Sequence, residues 1–510
     1  VTGHQDHGRS RAERGARRLS LSRTARRVGT FCLALTVILL GDLTRVMVLQ
    51  AGQYASNPAD RRAAIARQAQ PRGAILVAGA PVTGNAAGTG AFAYRRTYTD
   101  GPLYAPVTGY SSQLYGNSLL EGVEDAVLSG TDPALQRFPL WNAVTRQPVA
   151  GGNVKTTIAP AAQRAAFAGL GSARGAVIAL EPSTGRILAL ASTPSYDPGA
   201  IAGSDAAARA AWARLNADPA SPMLNRALRQ TYPPGSTFKI VTAAAALTAG
   251  TVTDIAAPTD SPDPYRPRDT DHPITNESAR DSCRDASLMY ALQVSCNTVF
   301  ARLGDQVGEA RMVAMARAFG FDRQDRKIPV AVAPSVFPTG LRGQAFLALS
   351  SIGQYDTAAT PLQMAMVASA VADGGTLMEP YLVSEVDRSD GTPVRTYGPH
   401  TFGHPVSAEV AADLQRMMVN VVQKGTGTSA RIRGVTVGGK TGTAQNGVDN
   451  SGKPYAWFIA WARPRGSDTA PVAVAVVIED SDAARADVSG GGLAAPIARS
   501  VMQAVLKAQR

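Results

Sequence analysis

Three short stretches of the sequence carry side chains suited to acyl transfer, and the first is PPGSTFKIVTAAAAL. Pro233, Pro234 and Gly235 stop the preceding structure and the alanine run propagates a helix, which puts Ser236 and Lys239 just inside a helix start. One turn separates them, so their side chains share a face. A serine hydroxyl is a poor nucleophile at neutral pH unless a neighbour takes its proton, and a partly buried lysine with a lowered pKa can do that. The helix amino terminus adds a field that favours a developing oxyanion. Ser-x-x-Lys arises often by chance, so the pair needs further support.

The second stretch is Ser295-Cys296-Asn297, on a connection between the helical segments SLMYALQV and TVFARLGDQV. A hydroxyl and an amide placed there can converge on a cleft, one relaying protons and the other holding a substrate amide. The competing reading is that Ser and Asn simply cap helices, as they often do. The third stretch, GGKTGTAQ, places Lys440, Thr441, Gly442 and Thr443 at the end of the strand-like GVTVGG. Small residues on an edge strand let a substrate backbone approach closely, and the Lys with two hydroxyls suits a carboxylate. Gly434, Gly439, Lys440 and Thr441 also fit the phosphate-cradling G-x-x-x-x-G-K-[ST] pattern. That pattern requires a helix opening after the Lys-Thr pair, and Gly442-Thr443-Ala444-Gln445 is a poor helix start.

The elements that must position these groups point to an α+β fold. GAVIALEPSTGRILALAS reads as strand, turn and strand, and YAWFIAWA and PVAVAVVIE as two strongly apolar strands near the carboxyl end. Helices are expected over 237–248, 361–372 and 494–508. Strands at both ends of a domain with helices between them imply one antiparallel sheet completed by its two termini. This domain is expected over 161–510. Residues 50–160, rich in Gly, Ala, Pro and Tyr, read as a small accessory domain, with strand-like Gly73 to Val77 and a helical turn around Leu119 to Leu128.

The amino terminus adds a topology. Eight Arg stand against Asp6 and Glu13 in residues 1–27, which accounts for half of the formal charge of +12. That charge reads as a basic cytoplasmic tail, and no nucleic-acid partner is expected. Val28 to Leu40 is almost wholly apolar but too short to cross ~30 Å of hydrocarbon, which takes about 20 residues. Extension to Leu49 supplies the length and takes in Asp42 and Arg45, three apart on one face, where they can pair or reach towards water. A transmembrane anchor is therefore expected over 28–49, with everything after it outside the cytoplasm. A cleaved signal peptide is the alternative, but no small-x-small cleavage site follows Leu40.

Cys32 falls in the apolar segment and reads as a small apolar residue. Cys283 and Cys296 fall on the expected exported side, where disulfides persist, and with no third exported cysteine they are expected to pair. The alternative is that Cys296 fills the middle of its motif as a small apolar residue. No CxxC, HExxH or Cys/His cluster points to a metal.

In this order, Ser-x-x-Lys, Ser-x-Asn and Lys-Thr-Gly resemble the active-site set of penicillin-binding proteins and serine β-lactamases. RGAVIALEPSTGRILALASTPSYDP, SSIGQYDTAATPLQMAMVASAVADGG and YAWFIAWARP resemble blocks of class B penicillin-binding proteins. NPADRRAAIARQAQPRGAIL resembles the segment after the anchor in that class, and LYAPVTGYSSQLYGNSLLE the penicillin-binding protein A type of actinobacteria. The resemblance implies a serine β-lactamase-like transpeptidase domain behind a pedestal, cross-linking peptidoglycan stem peptides, donor to acceptor, through an acyl-enzyme that β-lactams mimic. It implies Ser236 as nucleophile, Lys239 as its base, Ser295 and Lys440 as a proton relay to the leaving amine, and Asn297 as a donor-peptide contact. Thr441 and Thr443, flanking Gly442, would bind the terminal carboxylate, and the amides of Ser236 and Thr443 would form the oxyanion hole. It implies no cofactor, and a polytopic glycosyltransferase as partner.

Other classes fit less well. A β-lactamase needs a deacylating base, often Glu in E-x-x-x-N, and none of Glu309, Glu379, Glu385 or Glu409 has Asn four positions on. A bifunctional synthase needs a glycosyltransferase domain, for which the upstream region is short. A sensor that retains the pocket without turnover stays open on motifs alone.

Overall fold

The computed structural model describes residues 10–50, 69–88, 92–136, 149–278, 280–446, 451–481 and 483–508. Two compact units divide the chain at residue 67. In the first, the helix Ser10–Thr44 ends in a π turn, Arg45–Leu49. Its stretch Arg23–Met47, 25 residues, is long and apolar enough to cross a membrane, at about 37 Å for 1.5 Å per residue. Phe31 and Leu39 are each 66% exposed, as expected of side chains whose partner is not protein. Asp42 and Arg45 are both exposed. Residues 51–68, which begin the segment expected to follow an anchor, lie outside the described residues.

The second unit is built on a five-stranded antiparallel sheet. Its order is Val435–Ala444, Tyr455–Pro464, Val472–Asp480, Arg174–Leu180 and Ile187–Thr193. The first and last segments of the domain thus meet side by side, Val476 opposite Val177, and the α+β arrangement holds. The apolar runs are continuous because both faces are covered. Trp457, Ile459 and Trp461 join one core with the helix Pro361–Ala372, while Ala456, Phe458, Ala460 and Ala462 join another with Ala495–Ala508. Successive residues of a strand point to opposite faces, so each layer takes alternate positions. Every residue of the 361–372 helix is buried, which explains its lack of a polar face.

A second sheet crosses the boundary expected at residue 160. Its order is Pro393–Thr396, Val383–Asp387, Asn153–Thr156, Ile75–Val77 and Ala80–Pro81, so strands from late in the chain complete a sheet begun near its start. Ile75–Val77 runs parallel to Asn153–Thr156 and the other pairs are antiparallel. The short helices Leu119–Val123 and Asp125–Leu128 pack beside it. There Glu121, wholly buried, accepts from Arg72 Nη2 at 3.1 Å and Arg96 Nε at 2.5 Å.

Candidate active site

Ser236 lies on a 3-10 turn, Gly235–Phe238, that precedes the helix Lys239–Thr248 rather than inside the helix itself. Gly235 opens that turn at a φ of +52°, a conformation that favours glycine. A Cβ there would stand 3.0 Å from the Thr443 carbonyl, so the turn needs glycine for space as well as for conformation. Residues three apart eclipse in a 3-10 turn, which keeps Ser236 and Lys239 aligned. The turn is fixed from three sides. Trp457 Nε1 donates to Pro233 O at 3.0 Å, Gly235 N to Gly353 O at 2.9 Å, and Thr237 Oγ1 to Pro234 O at 2.7 Å.

The second motif converges on the same lysine. The helix Leu288–Val294 ends at Ser295 in the left-handed conformation, φ 69° and ψ 41°, and the helix Asn297–Val307 starts two residues later. The sulfur atoms of Cys283 and Cys296 are joined, with α-carbons 5.7 Å apart. Cys296 supplies no side-chain cap to the second helix. Asn276 does so from a loop: its Oδ1 accepts from Asn297 N at 2.7 Å and Thr298 N at 3.2 Å. The Asn297 amide is oriented by Thr275 O, which accepts from Nδ2 at 3.0 Å, leaving Oδ1 towards Lys239. Lys239 Nζ then donates to Ser295 O and Asn297 Oδ1, each at 2.7 Å, and to Ser295 Oγ at 3.2 Å.

The third motif closes the group from the sheet. Val435–Ala444 is one continuous edge strand through Lys440, Thr441 and Gly442, so no helix follows the Lys-Thr pair and the phosphate-loop reading fails. Lys440 Nζ donates to Ser295 Oγ at 2.9 Å and to Thr441 O at 2.8 Å. Thr441 Oγ1 shares a 2.6 Å hydrogen bond with Thr426 Oγ1. A Cβ on Gly442 would meet Pro234 O and Thr237 Cγ2 at 3.0 Å, so the strand lies directly against the serine turn. The half-buried Thr443 follows it, its carbonyl against Gly235.

Ser295 Oγ therefore bridges two wholly buried lysines. Burial lowers the pKa of both, because neither ammonium has bulk water to solvate it. For Lys239 the positive charge of Lys440 lowers it further; Lys440 is brought to about 7. Among the described residues, no group of three or more His, Cys, Asp or Glu could hold a metal ion. Asn276 and Thr426, which fix Asn297 and Thr441, lie far from the motifs in the chain and carry no spacing signal that would have found them.

Comparison with known proteins places these features in a family. Residues 175–503 match the penicillin binding protein transpeptidase domain, and residues 72–154 the penicillin binding protein A dimerisation domain. The sequence is 41% identical over 501 residues to the peptidoglycan D,D-transpeptidase PbpA of Mycolicibacterium smegmatis, covering 96% of this chain and 99% of that one. It is 40% identical over 499 residues to PbpA of Mycobacterium tuberculosis, covering 96% and 100%. Among solved structures, the ceftriaxone acyl-enzyme complex of penicillin-binding protein A from M. tuberculosis aligns with a TM-score of 0.81 at 39% identity, over 87% of this chain and 100% of that one. The penicillin G acyl-enzyme complex of the same protein aligns at 0.78 and 40%, over 86% and 100%.

Proposed function

The chain belongs to the class B penicillin-binding proteins and is a peptidoglycan D,D-transpeptidase, and on that premise we propose that Ser236 carries the acyl group, with the two buried lysines dividing the proton work. The observation that supports this division is the Ser295 hydroxyl held between Lys239 Nζ and Lys440 Nζ.

In the first half-reaction, neutral Lys239 takes the Ser236 proton as Oγ attacks the carbonyl carbon of the donor's penultimate D-Ala. The oxyanion is received by the amides of Ser236 and Thr443, at about 3 kcal/mol per donor. The C–N bond then breaks, and the leaving D-Ala amine takes a proton through Ser295, replenished by Lys440. Thr441 and Thr443 hold the donor's terminal carboxylate and Asn297 the peptide. In the second half-reaction the acceptor amine attacks the ester carbon, a new amide forms, and the C–Oγ bond breaks with a proton returned to Ser236. A β-lactam enters as a donor mimic and stops at the ester.

The helix Arg23–Met47 acts as a retained membrane anchor, with the arginine-rich end inside and the catalytic unit outside. Outside is where stem peptides are. A polytopic glycosyltransferase that supplies uncross-linked strands is the partner this arrangement suits.

The test is covalent labelling by fluorescent penicillin. Wild-type protein should label and Ser236→Ala should not, and label retained in the variant would remove the assignment.

A further inference from the structure

A cavity of 390 Å³ that no motif residue lines opens where the loop after the helix Glu309–Ala318 meets the outer strand of the second sheet, Pro393–Thr396. Its volume falls within the range of small-molecule sites, about 300–1,000 Å³. Arg326 lines it and is only 6% exposed. Two neutral acceptors fix the guanidinium: Nη1 donates to Gln363 Oε1 at 2.8 Å and Nη2 to Gly320 O at 3.2 Å. Among the described residues it has no carboxylate within ion-pair distance, and its buried Nε–H has no acceptor. The Phe402 ring, with its centroid 5.6 Å from the guanidinium carbon, compensates the charge only in part.

The two acids of the cavity wall are already engaged. Arg323 holds Asp325 at 3.0 Å and Glu379 at 2.7 Å. The exposed Lys327 also lines the cavity, and among the described residues its ammonium makes no hydrogen bond or ion pair. Leaving His400 aside, three cations stand against two acids, a net charge of +1. Burial lowers the Arg326 pKa to about 10, so the group stays charged at neutral pH. A charge taken out of water is stable only when an anion or a full set of acceptors replaces the water, and Arg326 has neither.

Hydroxyl donors complete the wall from other segments. Tyr381 lies just before the strand Val383–Asp387, and Tyr397 just after Pro393–Thr396. Tyr397 Oη accepts from Arg395 Nη1 at 3.2 Å, which leaves its own proton to donate. What the wall lacks is one negative charge with acceptor oxygens that face several segments. A phosphate group has such oxygens in different directions, whereas the two of a carboxylate lie in one plane. We infer that this cavity binds a phosphate group, held by Arg326 Nε and Lys327 Nζ, with the Tyr381 and Tyr397 hydroxyls as further donors. A phospholipid headgroup and a soluble glycerol phosphate share this chemistry.

The experiment uses the full chain in dodecyl maltoside, a detergent without phosphate, and reads binding of inorganic phosphate by calorimetry at constant ionic strength. Wild-type protein should bind phosphate saturably, and acetate should compete at least tenfold less well. Lys327→Ala should weaken phosphate binding about fivefold and Arg326→Gln at least tenfold. Circular dichroism shows whether each variant is folded, and Lys327→Ala, at an exposed position, keeps the test open if Arg326→Gln is not. Phosphatidylglycerol in the micelles, or soluble glycerol 3-phosphate, should displace inorganic phosphate, the first identifying a headgroup and the second a soluble source. Binding that neither displaces would mean an adventitious ion only and would overturn the inference. So would an unchanged affinity in a folded variant, equal competition by acetate, or no saturable binding.

Discussion

Lys440 Nζ donates to Ser295 Oγ at 2.9 Å, a contact that joins the edge strand of the main sheet to the turn between two helices 145 residues away in the chain. Lys239 reaches the same hydroxyl at 3.2 Å from the opposite motif. On the proposed mechanism, removal of Lys440 takes away both a relay partner of Ser295 and a cation beside the expected carboxylate site. Lys440→Ala should slow acylation by a carboxylate-bearing β-lactam by at least a hundredfold, of the order seen when one preorganised electrostatic contact is lost. Stopped-flow acylation checks this, and an unchanged rate would refute the role.

The lowered lysine pKa values give a pH profile with defined signs. On the proposed mechanism Lys239 must be neutral to take the Ser236 proton, so its lowered pKa should give acylation an acid limb on which the rate rises with pH as the ammonium is lost. Lys440, at about 7, loses its charge as pH rises further, and acylation efficiency of the free enzyme should then fall on an alkaline limb starting near that value. Lys440→Met should abolish the alkaline limb and move the acid limb upward, because the like charge that lowers Lys239 is gone. Stability follows from the same shifts. Between about 7 and 10.5 the unfolded chain binds more protons at these lysines than the folded one, so their contribution to folding stability rises with pH across that window. Acylation rates and thermal unfolding across pH test both.

Glu121 offers a test of stability away from the chemistry. It is wholly buried between Arg72 and Arg96, and Arg72 also pairs with Asp125 at 2.7 Å. Glu121→Ala would leave two buried guanidinium groups without their shared acceptor. The expected loss is about 3–5 kcal/mol, read as a large fall in Tm, because an uncompensated buried charge costs more than the pair contributes. Acylation per folded molecule, measured below the transition, should stay within about twofold.

The site was legible where its residues are neighbours in the chain. Ser236 with Lys239, Ser295 with Asn297, and Lys440 with Thr441 each share a short motif, so local geometry aligns each pair, while tertiary packing brings the three pairs together. The groups that orient them are different. Asn276 reaches Asn297 from 21 positions upstream, with the helix Leu288–Val294 between them, and Thr426 reaches Thr441 from just beyond the helix Ala408–Lys424. No periodicity marks such contacts, because the loop path is decided by tertiary packing. The main sheet was legible through its continuous apolar runs, and the helix 361–372 as a helical stretch opening at Pro361. Strands such as Val383–Asp387 and Pro393–Thr396 were not: both are short and partly exposed, the first pairs with residues more than 200 positions upstream, and the second only extends it at the sheet edge.

The disulfide ties stability to chemistry most directly. Cys296 is the middle residue of the motif that supplies Ser295 and Asn297, and its partner Cys283 lies in the loop that also carries Thr275 and Asn276. Closing a loop of this length should stabilise by ~3 kcal/mol in the chain-entropy view. The larger effect concerns position. Ser295 is held at a φ of 69°, unusual for a residue with a side chain, and its hydroxyl must meet two ammonium groups at once. Without the bridge, the loop and the motif are joined only by hydrogen bonds, and a shift of a fraction of an ångström is enough to misalign the relay. Mild reduction should therefore lower the acylation rate about tenfold at temperatures where circular dichroism still reports a folded protein, and reoxidation should restore it. The Cys283→Ser, Cys296→Ser double variant should show the same loss and no further response to reductant. Loss of activity only in step with unfolding would mean that the bridge stabilises the fold without positioning the motif.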